Sequence, residues 1–167
     1  MKVFAMLTLI VIVMYAAQTS LLTYLDYHGV SANLMLLLVV STGFLRGTYF
    51  GVTMGFCVGL LQDFTSGDFF GCSTFAYMLV GLIFGKFSEN VVKEQFLLPV
   101  LSAPVAATIY FFTMTLFIYL LGYPIYIFQS MQTVLRPLIF YQLIFSLPVH
   151  KLAYDFDKFV RELGARG

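Results

Sequence analysis

The groups with chemistry to offer are few. Two histidines (His28, His150), two cysteines (Cys57, Cys72) and a carboxylate closing an apolar run (Asp63) stand out in a 167-residue chain that is only 10% charged. A serine–histidine dyad working inside a membrane needs both residues at one depth. His28 and His150 fall at the edges of different apolar runs, expected on opposite sides of a bilayer. No apolar run holds two acids, so a paired-carboxylate relay fails as well. The cysteines form no CxxC or Cys/His grouping, and neither zinc nor a disulfide framework is indicated. The expectation is a non-enzymatic protein with no metal and no cofactor.

Asp63 needs its own account. A carboxylate at a helix C-terminus opposes the macrodipole, so something else must use it. One use is a cap on the turn of Thr65, Ser66 and Gly67, with backbone amides donating to the carboxylate. The other is an ion pair with Arg136, because ionisable groups near hydrocarbon are paired or functional.

The elements that carry these groups are apolar throughout. Hydrophobic residues make up 60% of the chain and aromatic ones 18%, and the mean hydropathy is +0.93. Soluble domains hold about 25% charged residues. Disorder and a free cytosolic enzyme are excluded, and a net charge of +1 is too small to drive nucleic-acid binding. Apolar runs occur at 4–22, 34–45, 49–61, 69–84, 96–121 and 134–149. A bilayer needs about 20 apolar helical residues to be crossed. Fusing the second and third runs would bury Arg46 in mid-membrane, so they read as two short helices split at Arg46 and Gly47. The first run lacks a small residue where Tyr15 stands and reads as an uncleaved span rather than a signal peptide.

Six spans with the N-terminus inside place Lys2, Arg46, Lys86, Lys93, Lys151, Lys158, Arg161 and Arg166 in the cytoplasm, leaving Arg136 elsewhere, as the positive-inside rule favours. Asp26, Asp63 and Asp68 fall outside. Tyr119, Tyr123 and Tyr126 mark an uncharged segment, 122–133, that should lie along the outer surface. The expected organisation is a six-helix transmembrane domain over 1–150 and a cytoplasmic amphipathic tail helix over 151–167. In that tail Leu152, Phe156, Phe159, Val160 and Leu163 recur at helical spacing, with Lys151, Lys158, Arg161 and Glu162 off the stripe and Gly164 as a stop. It would lie under the inner leaflet as an anchor, or offer a partner a docking face.

Glycines recur every fourth residue at Gly43, Gly47, Gly51, Gly55 and Gly59, then at Gly67 and Gly71, then at Gly81 and Gly85. That spacing lines one stripe of a helix with small residues and lets another backbone approach closely. The second backbone belongs either to this chain or to a partner.

Within the ladder stands Gly55-Phe56-Cys57-Val58-Gly59-Leu60-Leu61-Gln62-Asp63, followed by the spaced pair Gly67 and Gly71. This GFxxGLLxD block, in a chain of this length with six apolar runs, resembles the rod shape-determining protein MreD family. The turn Ser31-Ala32-Asn33-Leu34 before the second run is similar to that family's segment, though the family usually has proline where Ala32 stands. The resemblance implies a scaffold subunit of the bacterial elongation machinery in the cytoplasmic membrane. It implies MreC as direct partner, and MreB and the SEDS glycosyltransferase–transpeptidase pair as indirect ones. It also implies a fold similar to the six-helix substrate-binding subunits of energy-coupling-factor vitamin transporters. The residues that would serve partner binding or helix packing are Gly51, Gly55, Phe56, Gly59, Leu60, Asp63, Gly67 and Gly71. Leucine at Gly55 or Gly59 is then expected to abolish MreC co-purification. The alternative is a small-molecule binder like those transporter subunits, with Gln62, Asn33, Thr108, Thr113, Gln129 and Gln142 as its polar groups.

Overall fold

A computed structural model describes residues 2–20, 32–66, 70–88, 97–124 and 126–165. Among these the chain is all helix with no strand. In order, the helices are α1 (Lys2–Ser20), α2 (Leu34–Arg46), α3 (Thr48–Ser66), α4 (Cys72–Phe87), α5 (Leu97–Leu120), α6 (Ile127–Ser130) and α7 (Arg136–Ala165), with a π-helical turn at Met131–Leu135 joining the last two. His28, Asp26, Gly67, Asp68 and Lys93 lie outside the described residues.

Helix α2 is the centre of the molecule. Every residue of it except Arg46 is buried, and α1, α3, α4, α5 and α7 all pack on it. A helix apolar on all sides has no face for water, and surrounding it with other helices is the arrangement that fits such a sequence. Asn33 starts it, its side-chain oxygen accepting the Leu36 amide at 3.0 Å, as an N-cap should. The break expected at Arg46 and Gly47 is present. Gly47 has φ of +87°, a conformation that glycine adopts without the strain another residue would carry. The chain thus leaves α2 and starts α3 at once.

Among the described residues one helical segment, Val100–Leu120, suffices by length and composition to cross a bilayer, while Leu9–Ser20, Leu34–Arg46 and Cys72–Phe87 are shorter apolar helices. The 150/151 division expected from the sequence falls within α7, which runs unbroken for 30 residues. At 1.5 Å per residue it is about 45 Å long, more than the hydrocarbon core of a bilayer. The tail therefore continues this helix rather than starting a separate element.

The tail's contacts follow the expected stripe only in part: Phe156 is half-buried against the core, Leu152 and Phe159 are exposed, and Ala153 and Asp157 are buried instead. The side chains of Val160 and Leu163 lie outside the described residues. Arg46 supplies the reason, since its guanidinium pairs with the Asp157 carboxylate and turns that face of α7 toward α2. The side chain of Arg46 also lies 5.2 Å from the centre of the Phe50 ring, within cation–π range.

Candidate functional site

The glycine ladder is a seam inside the chain. A methyl group placed on Gly51 would stand 2.5 Å from the Gly81 carbonyl oxygen, and one on Gly55 would stand 2.5 Å from that of Tyr77. Methyl groups on Gly59, Gly81 and Gly85 would collide with the backbones of Thr74, Gly51 and Thr48 respectively. As numbers rise along α3 they fall along α4, so the two helices are antiparallel and in backbone contact over their length. Gly43 adds α2 to the same crossing, its would-be methyl 3.2 Å from the Gly85 nitrogen. Without a hydrophobic drive between lipid-solvated helices, such close backbone packing is itself the attractive term. Of the two owners left open for this stripe, α4 holds the positions Gly51, Gly55 and Gly59.

Asp63 closes the seam at one end. Its carboxylate accepts the amides of Gly71 (2.9 Å), Ser73 (3.0 Å) and Thr74 (3.0 Å), together with the Thr74 hydroxyl (2.5 Å). Asp63 sits in the last turn of α3, where the dipole opposes it, but the same carboxylate lies over the first turn of α4, where the dipole favours it. Gly71, the N-cap residue of α4, has φ of +95° and no side chain to cap with, and Asp63 supplies the missing acceptor across the turn. Four donors on one carboxylate suit its ionised, acceptor-only form. Asp63 thus caps the start of α4 through Gly71, Ser73 and Thr74; of the turn expected to use it, Gly67 lies outside the described residues and the Thr65 hydroxyl donates to the carbonyl oxygen of Leu61. The alternative pairing with Arg136 is not formed. Arg136 is exposed at the start of α7, and Asp63 already has its donors.

Phe56 and Leu60 point away from the seam. Phe56 is 46% exposed and Phe64 is 71% exposed. Tyr49, Thr53 and Cys57 are open on the same side, with Leu60 half-buried. Helix α3 thus has two opposite faces. One is pared to hydrogen and sealed against α4; the other is aromatic and largely exposed. Phe64 continues into Phe70 through an edge-to-face contact of 5.0 Å.

A polar ladder between α2 and α7 escaped the sequence reading as a unit. The Asn33 side chain and the Tyr77 hydroxyl are hydrogen-bonded, with contacts of 2.7 and 2.9 Å, and the Gln142 amide donates to the Asn33 carbonyl oxygen at 3.0 Å. His150 Nδ1 lies 3.2 Å from the Ser41 hydroxyl, and Arg46 with Asp157 completes the row. The signal was present as Gln142, Ser146, His150 and Asp157, which repeat on one helical face. Thr108 and Thr113 donate to carbonyl oxygens of their own helix, at 2.7 Å each, and Gln129 is exposed. Of the polar residues named for a ligand site, Asn33 and Gln142 meet, whereas Thr108, Thr113 and Gln129 do not join them. Among the described residues no group of three His, Cys, Asp or Glu side chains could hold a metal ion.

The family model for rod shape-determining protein MreD matches residues 1–158. No curated protein and no solved structure matches the chain. With the match spanning all seven helices apart from the last turns of α7, the chain belongs to the MreD family and takes part in rod-shape determination as a membrane-associated structural component.

Proposed function

We propose that this chain is a non-enzymatic scaffold of the bacterial elongation complex. In this reading six helical spans cross the cytoplasmic membrane, both termini are cytoplasmic, and the fold is similar to energy-coupling-factor substrate-binding subunits. The chain binds MreC within the bilayer and at its edge. Through MreC it helps to organise lateral peptidoglycan synthesis by the SEDS glycosyltransferase–transpeptidase pair along MreB.

The observation that supports this reading is the two-faced α3. Its glycine face is consumed by α4, which holds the helix at backbone distance, and its opposite face bears Tyr49, Phe56 and Phe64, all exposed, with the half-buried Leu60 among them. Large aromatic side chains on a helix that cannot shift make a firm surface for one further helix, and aromatic anchors dominate interface energetics. The partner face thus moves from the glycines to Phe56 and Leu60. A leucine at Gly55 or Gly59 is no longer a clean test, because it would force the hairpin apart before it affected a partner.

The cleaner test is a photo-crosslinking amino acid at Phe56 or Leu60, with Leu101 on α5 as the comparison, in cells producing MreC. Crosslinks to MreC from positions 56 and 60 and few from 101, together with reduced co-purification for Phe56→Ala, are the expected result. Full co-purification of a folded Phe56→Ala, Leu60→Ala double variant would remove this face from the scaffold. The vitamin-subunit alternative has less support, since Asn33, Tyr77 and the Gln142 amide nitrogen are hydrogen-bonded together, although the buried Gln142 Oε1 finds no donor.

A further inference from the structure

Where the chain returns from α5 toward α7 it leaves a recess of about 470 Å³, within the usual range of small-molecule sites. Its two walls differ in character. Phe111, Met114 and Ile118 of α5, with Leu138 of α7, form an apolar wall. Tyr126, Gln129, Ser130 and Thr133 project from the connecting segment opposite, at spacings of three and four that place them on one helical face. Every residue lining the recess is uncharged. The polar wall includes the π-helical turn Met131–Leu135, and such turns are uncommon and frequent at functional sites. Tyr110 also lines it, with its ring 5.3 Å from that of Tyr77, so the recess adjoins the Asn33–Tyr77–Gln142 junction.

We infer that this recess binds one long-chain, uncharged amphiphile, with its chain along Phe111, Met114 and Ile118 and a hydroxyl-bearing end among Gln129, Ser130 and Thr133. Two arguments select this class. A charged headgroup would find no counter-ion in the lining, and desolvating it there would be unfavourable. A purely apolar molecule would leave the Gln129 amide and the Ser130 hydroxyl facing hydrocarbon, while the Thr133 hydroxyl donates to the Gln129 carbonyl oxygen at 2.8 Å. An amphiphile satisfies both walls at once, and the site does not depend on the α3 face.

The test uses the full chain in nanodiscs of phosphatidylethanolamine and phosphatidylglycerol, with hexadecanol carrying a photoactivatable diazirine as the probe. Labelling should concentrate several-fold on 110–138 over the lipid-exposed Leu101 and Val105, and unlabelled hexadecanol should suppress it. Met114→Trp, which fills the apolar side, and the pair Ser130→Leu with Thr133→Val, which removes the polar side, should each lower it several-fold. Circular dichroism melts matching the parent chain confirm that these variants fold. Labelling of the recess equal to that of Leu101 and Val105 would overturn the proposal. So would equal labelling by the palmitic acid analogue, or suppression by octanol in the aqueous phase without suppression by hexadecanol. Displacement of the probe by co-produced MreC would assign the recess to a partner helix and overturn it likewise.

Discussion

Alanine at Gly55 should loosen the molecule more than any lipid-facing truncation of similar size. The new methyl carbon would stand 2.5 Å from the Tyr77 carbonyl oxygen and 2.9 Å from the Met78 nitrogen, against 3.4 Å for the onset of ordinary contact. The obstacle is backbone, so no rotamer change relieves it, and α3 must withdraw from α4 by close to an ångström. Overpacking of this kind costs about 1–3 kcal/mol, and the intrinsic preference of helices for alanine over glycine returns about 0.5–1 kcal/mol. Withdrawal at Gly55 also opens the neighbouring approaches at Gly51 and Gly59, which places the net loss at about 1–3 kcal/mol. Gly59→Ala, which meets the Thr74 backbone, should behave alike. Gly43→Ala should lose under about 1 kcal/mol, because its methyl group would meet the Gly85 nitrogen at 3.2 Å. The assay is unfolding by sodium dodecyl sulfate in mixed micelles, followed by circular dichroism and tyrosine fluorescence, the latter suiting a chain with 11 tyrosines and no tryptophan. Leu101→Ala, on an exposed position of α5, serves as the baseline. If Gly55→Ala and Gly59→Ala unfold at the parent concentration, α3 and α4 do not touch through these glycines and the seam is misassigned.

Further outcomes follow from the other contacts. Asp63→Ala strands the amides of Gly71, Ser73 and Thr74 and should destabilise by about 2–4 kcal/mol in the same assay, with Asp63→Asn recovering part of it through its remaining acceptor oxygen. Arg46→Leu or Asp157→Leu alone breaks an ion pair whose side chains are 11% and 9% exposed and should cost about 3–5 kcal/mol, while the double variant should be far closer to the parent chain. Asn33→Leu should cost more than Gln142→Leu, because Asn33 caps α2 and also pairs with Tyr77; equal losses would show that the cap is unimportant. In a cysteine-free background, Lys86→Cys should react with an impermeant maleimide from the cytoplasmic side and Tyr123→Cys from the other, and reaction from one side would refute the six-span topology.

Helical class, the α2–α3 break and the importance of the glycine–aspartate block were all legible from the chain alone. Each rests on local information. Apolar runs report helices, Arg46 beside Gly47 reports a break because a charge cannot cross hydrocarbon cheaply, and four-residue spacing reports a stripe whatever lies against it. Asp63 shows where such reading stops. Its position at the end of α3 announces an unmet requirement, but the donors sit eight to eleven residues later on another helix, and only the hairpin's closure brings them within reach.

What the sequence determined by itself is therefore a glycine stripe on α3 and a short apolar α2 with one arginine at its end. Which surface meets which was decided only by the tertiary structure. A glycine stripe fits any close backbone equally well, since it carries no side chain to discriminate, and α4, which follows α3 closely in sequence, reaches it first. Asp157 likewise lies 111 residues from Arg46, and nothing local to either residue specifies the other. Packing around α2 removes that arginine from solvent, and the need for a counter-charge there selects the face that α7 turns inward.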